Sequence, residues 1–299
     1  MVNNMRAKTI AAKDSKKKER PKPKPMEEGP VLYVSSPIAP DTAKIYFAVV
    51  KELLEEKGCK AIVMGEPKID FEKHDGNLFM PYVDLLAEEI REIGRGVVPV
   101  LNGSPGDIMV CALREHPEIS EYVSRMIFMN CSLHTMLRDE EIMDSHNYFI
   151  DSLKQLEKTF GGRLGVGLMT SKILETKTGF DIGNAVAELS AYGYPEPEVR
   201  IKELKNDICN ANLGAGPKVV RKALEGWTEM MEKIDYETVY GQHGEIMYHF
   251  CTGMDAEKLR TENTGRVFQA EGAEHHIVTL DKPVTSTRII LDVLNGKYD

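Results

Sequence analysis

From Val31 onward the chain alternates short apolar runs with longer amphipathic stretches. VLYVSS (31–36) is rich in β-branched and aromatic residues, the composition of a strand buried on both faces. The stretch 41–57 then places Ile45, Val49, Leu53 and Leu54 at helical spacing and stops at Gly58. KAIVMG (60–65) predicts a second strand, and PYVDLLAEEIREIG (81–94) a helix with Pro in its first turn and Gly at its end. GVVPVLNG (96–103) predicts a third strand, although Pro99 is awkward for a central one. A helix over 108–116 and a fourth strand, RMIFMN (125–130), follow. Such strand–helix alternation implies an α/β class fold, a doubly wound and mostly parallel sheet with right-handed crossovers.

The alternation breaks after Asn130. Residues 132–240 read as helices and loops, with apolar-periodic stretches at 148–160, 182–192 and 217–234. It returns with EIMYHFC (245–251), RVFQAEG (266–272) and a last helix over 283–294. The expected organisation is therefore a core of 29–131 and 241–299 interrupted by a helical insertion, 132–240. Residues 1–28 are rich in Lys and Pro and nearly devoid of large apolar side chains. They predict a disordered basic tail, either a plain solubilising segment or a tether for an anionic surface.

Composition narrows the function classes. The formal charge is −9 over 299 residues, while nine Lys/Arg and four Asp/Glu give residues 1–28 a net +5, so the remainder is acidic. That balance argues against wholesale nucleic-acid binding, and no apolar run is long enough for a transmembrane helix. The five cysteines are scattered and odd in number, which predicts reduced thiols and a cytoplasmic setting. The eight histidines lack metal-ligand spacing, and no cofactor motif is convincing: Gly161–Gly167 has no clear preceding strand. Neither a metal nor a cofactor is expected. Trp227, Met230 and Met231 read as packing residues, with the lining of an apolar acyl pocket as the alternative.

The chemistry concentrates in LNGSPGD. A strand ends at Asn102-Gly103, Ser104 follows, and Pro105-Gly106 starts a helix at once. A serine on such a turn stands clear of the backbone at the carboxyl end of the sheet, near a helix N-terminus, where a nucleophile belongs. Asp255 follows the strand EIMYHFC, and His275 follows RVFQAEG, with His276 as the fallback base. Serine, acid and histidine in that order supply the needed set: a nucleophile, a base to take its proton and a carboxylate to orient the imidazole. Asp255 as a helix cap and His275 as a solvated loop residue are the plainer alternatives.

From Val31 onward the chain resembles the α/β-hydrolase superfamily with a helical cap, most closely its polyhydroxyalkanoate synthase and intracellular depolymerase branch. The resemblance rests on VLYVSSPIAPDTAKIYFAVVKELLEEKGCKAIVMGEPK, YVDLLAEEIREIG, LNGSPGDIMVCALREHPE and RMIFMN. It implies a serine hydrolase or acyltransferase acting on an ester or thioester with an apolar acyl group. The substrate would be a small molecule or a polymer. Ser104 would be the nucleophile, with Asp255 and His275 as acid and base. Departures at Asn102, at Pro105 and at the proline of the Ser35–Ile38 loop favour a different class, an idle hydrolase fold kept for binding or scaffolding. Asn102 replaces the first glycine of G-x-S-x-G, and Pro105 has no N–H to offer an oxyanion. The second donor, expected in Ser35-Ser36-Pro37-Ile38, is either Ile38 or missing altogether.

Overall fold

The computed structural model describes residues 29–37, 42–131, 140–159, 182–214, 216–251, 266–269 and 278–299. Its centre is a six-stranded sheet in the order β2-β1-β3-β4-β5-β6. The strands are β1 (Val31–Tyr33), β2 (Ala61–Val63), β3 (Val98–Asn102), β4 (Met126–Met129), β5 (Met247–Cys251) and β6 (Arg266–Gln269). Every neighbouring pair is parallel. The expected strands are all present, with β1 to β5 shorter than predicted.

Period-two alternation sorts the strand side chains onto two faces. Leu32, Leu101, Met126, Phe128, Met247 and Cys251 share one core with helices α3 (Met80–Ile93) and α4 (Pro105–Glu115). Val31, Tyr33, Val100, Ile127, Tyr248 and Phe250 share the other with α2 (Ala48–Glu56), as does the C-terminal helix over 283–294. Both faces are thus covered, as a parallel sheet requires. The helix expected over 41–57 is divided at Phe47 into a short α1 (Ala43–Tyr46) and α2. Phe47 is fully buried and its ring stacks on Tyr33 at 4.4 Å.

Pro99 lies in a central strand after all. The β3–β4 ladder begins only at Val100–Ile127, beyond an isolated bridge at Val97–Val123. On the β1 side the residue before it donates instead, Val98 N–H to Pro30 O at 3.1 Å. The missing N–H therefore falls in a gap of the ladder.

Among the described residues, five α-helices lie between β4 and β5: α5 (Glu140–Leu156), α6 (Ile182–Tyr192), α7 (Pro197–Gly214), α8 (Pro217–Glu232) and α9 (Tyr236–His243). Leu189, Ile201, Leu204 and Ile208 of α6 and α7 pack on Val49 and Leu53 of α2. Val219, Ala223 and Met230 of α8 join the core of the opposite flank instead. Met230 and Met231 are buried packing residues. α10 (Val278–Asp281) and α11 (Pro283–Leu294) complete the described helices. The tail 1–28 lies outside the described residues. Among the described residues no helix is long and apolar enough to cross a membrane.

Candidate active site

The chain leaves β1 toward β2 on one side and returns to build β3 on the other, so the order reverses between β1 and β3. Open parallel sheets place ligands outside the carboxyl ends of the strands at such a point. Ser36 and Ser104 stand there. Ser36 follows β1, Ser104 follows β3, and their Oγ atoms are 2.6 Å apart, with either able to donate.

Local sequence explains both positions. Val34 donates its N–H to Val100 O at 3.1 Å, which holds the end of β1 against β3. Ser35 turns toward β2 and donates to Met64 O at 2.9 Å, leaving Ser36 to meet Ser104. After β3 the turn is made by Gly103 at φ +74, a conformation open to glycine without penalty. A Cβ there would meet nothing within 4 Å, so the demand is on the backbone angle and not on space. Ser104 itself is ordinary, at φ −56 and ψ −25, and directly precedes α4. The left-handed conformation of the strand-to-helix turn thus falls on Gly103, and Ser104 keeps an ordinary helical one.

Ser104 is buried, with 7% of its surface exposed. It sits at the N-terminal end of the eleven-residue α4, whose dipole favours developing negative charge. Pro105 fills the first helical position, as expected, and brings no N–H. The next two amides are in use: Gly106 donates to Gly103 O and Asp107 to Ser104 O, both at 3.0 Å.

Asp107, in the first turn of α4, does not stand out in the sequence pattern, yet it is the most heavily engaged acid beside the turn. Its Oδ2 accepts from Trp227 Nε1 at 2.8 Å and its Oδ1 from the Tyr236 hydroxyl at 2.7 Å. Burial pushes its carboxyl up to about 6, against the pull of those two hydrogen bonds. The Tyr236 hydroxyl is driven upward by its own burial and then by Asp107. Cys131 lies beneath the same turn, its Sγ 3.4 Å from Leu101 O. Burial, followed by the charge of Asp107, raises its thiol, so it is held protonated and unreactive. The signal for Asp107 was an acid inside GDIMVCAL, an otherwise apolar helix start.

Asp255, His275, His276 and Ile38 lie outside the described residues. Their sequence neighbours do bear on the site. β5 ends at Cys251, four residues before Asp255. Thr279, four residues after His275, accepts from Asn102 Nδ2 at 3.3 Å and lies 3.5 Å from the Tyr33 hydroxyl. Asn102 is the last residue of β3, so that contact is made at the carboxyl edge beside Ser104. Among the described residues no cluster of three or more His, Cys, Asp or Glu is arranged to hold a metal ion.

No protein-family model matches the chain, and no curated protein matches it. Solved structures do. A bromoperoxidase from Bacillus anthracis is 12% identical with a TM-score of 0.57, over 90% of this chain and 92% of that one. MenH from S. aureus is 13% identical with a TM-score of 0.56, over 92% and 97%. Rv0554 from Mycobacterium tuberculosis is 13% identical with a TM-score of 0.57, over 91% and 92%. At such identities the likeness speaks for architecture alone, and it is that of the α/β-hydrolase fold.

Proposed function

We propose that this chain, built on the α/β-hydrolase fold, is a serine hydrolase or acyltransferase. Its substrate is an ester or thioester with an apolar acyl group, polyhydroxyalkanoate-like or a short acyl ester. The observation that carries the reading is the Ser104 hydroxyl, held at the switch point of the sheet and at a helix N-terminus. Ser104 attacks the acyl carbon while His275 takes its proton. Asp255 orients the imidazole and stabilises its charged form. The tetrahedral intermediate then collapses, His275 returns the proton to the leaving alcohol or thiol, and water or a second alcohol takes the acyl group from Ser104. The contact of Thr279 with Asn102 supports His275 in this role, because it brings the chain just after the histidine to the edge where Ser104 stands.

In the same reading the helices α5 to α9 act as a cap over the site. Support comes from Trp227 of α8 and Tyr236 of α9, both bonded to Asp107 three residues beyond Ser104. A cap of this kind excludes water and selects the acyl group.

A fluorophosphonate probe tests the reading without knowledge of the substrate, because it modifies an activated serine and spares an ordinary one. Labelling of the full chain that disappears in Ser104→Ala is the expected result. The absence of N–H groups at Pro37 and Pro105 favours a second reading, an idle hydrolase fold that binds without turnover. An unlabelled parent chain would decide for that second reading.

A further inference from the structure

The two serines that meet at the switch point are each followed by proline, in Ser36-Pro37 and Ser104-Pro105. Neither following residue can donate a backbone hydrogen bond. The amides of Gly106 and Asp107 are committed inside the turn. An acyl carbon bonded to Ser104 Oγ nevertheless develops an oxyanion that needs donors at 2.7–3.1 Å. Among the described residues, the Ser36 hydroxyl is in range, 2.6 Å from Ser104 Oγ.

We infer that Ser36 is a catalytic residue, the side-chain donor to the oxyanion in place of the amide that Pro105 removes. The inference rests on Ser104 being the nucleophile. A hydroxyl has one donor and two lone pairs and rotates freely, so Ser36 can bond Ser104 at rest and the substrate oxygen during reaction. As Ser104 Oγ bonds to the acyl carbon, its proton passes to His275 and the carbonyl π pair moves onto oxygen. The Ser36 O–H turns to that oxygen and keeps its proton. When the pair returns, the bond to the leaving oxygen or sulfur breaks, the leaving group takes the proton from His275, and Ser36 is unchanged. The scaffold suits such a role. Ser35 is tied to Met64 O and Val34 to Val100 O, so the Ser36 backbone is held from the β1 side, and Pro37 after it is buried.

The test compares Ser36→Ala and Ser36→Thr in the full chain, using p-nitrophenyl butyrate turnover, fluorophosphonate labelling of Ser104 and thermal melting. Removing a donor of this kind should lower kcat by about 100- to 1000-fold in Ser36→Ala. KM should stay within about twofold, since the bond forms only in the transition state. Ser36→Thr, which keeps the hydroxyl, should retain kcat within about tenfold of the parent, again on the ground that the donor survives. Parent-like turnover in Ser36→Ala, with Ser104 labelled in the parent chain, overturns the role of Ser36 and leaves Ser104 standing. Equal losses in both variants at unchanged melting temperature overturn it as well. A parent chain that takes no label removes the Ser104 reading, and the role of Ser36 with it.

Discussion

Asp107 keeps a carboxyl group where only 1% of its residue surface meets water, and both its oxygens accept hydrogen bonds from the helices that follow β4. Burial dominates and raises its pKa from 3.8 to about 6. In that interval the folded state binds more protons than the unfolded one. Its contribution to stability is therefore fully present below about pH 4 and lost as pH rises through about 6, up to roughly 3 kcal/mol. Asp107→Asn keeps the geometry, its carbonyl accepting from Trp227 and its amide donating to the Tyr236 oxygen. Melting curves between pH 4 and 7 should accordingly show a flatter profile for Asp107→Asn than for the parent chain; an unchanged slope would mean that the acid titrates normally. Asp107→Ala removes the shared acceptor of the half-buried Trp227 N–H and the buried Tyr236 hydroxyl and should cost about 2–4 kcal/mol in denaturant melts.

Between elements, the contact most exposed to test is that of Gly226 in α8 with Asn77 before α3. Asn77 Nδ2 donates to Gly226 O at 2.8 Å, and its Oδ1 accepts from Phe79 N at 2.9 Å. A Cβ on Gly226 would lie 2.7 Å from that Oδ1, and Asn77 cannot withdraw without giving up both bonds. Alanine gains about 1 kcal/mol of helix propensity over glycine, against two hydrogen bonds of about 1 kcal/mol each. Gly226→Ala should therefore destabilise the parent chain and stabilise Asn77→Ala, a reversal of sign that equilibrium unfolding of the four-chain cycle would detect. In the sequence the strands appear as apolar runs, and Ser104 is legible because strand, turn and helix are contiguous. α7 escapes because, among its described side chains, only Ile201, Leu204 and Ile208 are firmly buried. Ser36 escapes as a side chain because its partner is 68 residues away, a proximity created by the pairing of β1 with β3.

At the scale of the molecule, the segment after α11 fastens the β5–β6 side of the sheet. Asp299 accepts from Arg266 Nη1 at 2.9 Å and Arg125 Nη2 at 3.0 Å, and also from the Tyr248 hydroxyl. The Tyr298 ring lies 4.6 Å from Phe268 and 5.2 Å from Phe250. The Asp299 carboxyl is lowered, chiefly by the Tyr248 bond, so its small contribution is present near neutrality and fades as the solution is acidified through its folded value. Removing Lys297–Asp299 should lower the melting temperature by roughly 5 °C, most of it from the lost ring packing. A truncated chain that melts with the parent would show that β6 holds without this segment. The connection across residues 130–246 has a consequence of another kind. Closing a loop that long adds only about 1 kcal/mol over a crossover of ordinary length. Made on a ribosome at about 5–20 residues per second, however, it separates β4 from β5 by roughly ten seconds. During that interval the nascent β4 has β3 on one side and nothing to pair with on the other. A connection whose length costs the finished molecule so little thus leaves an open sheet edge waiting in the cell, and sets the moment at which the newborn chain most needs shielding.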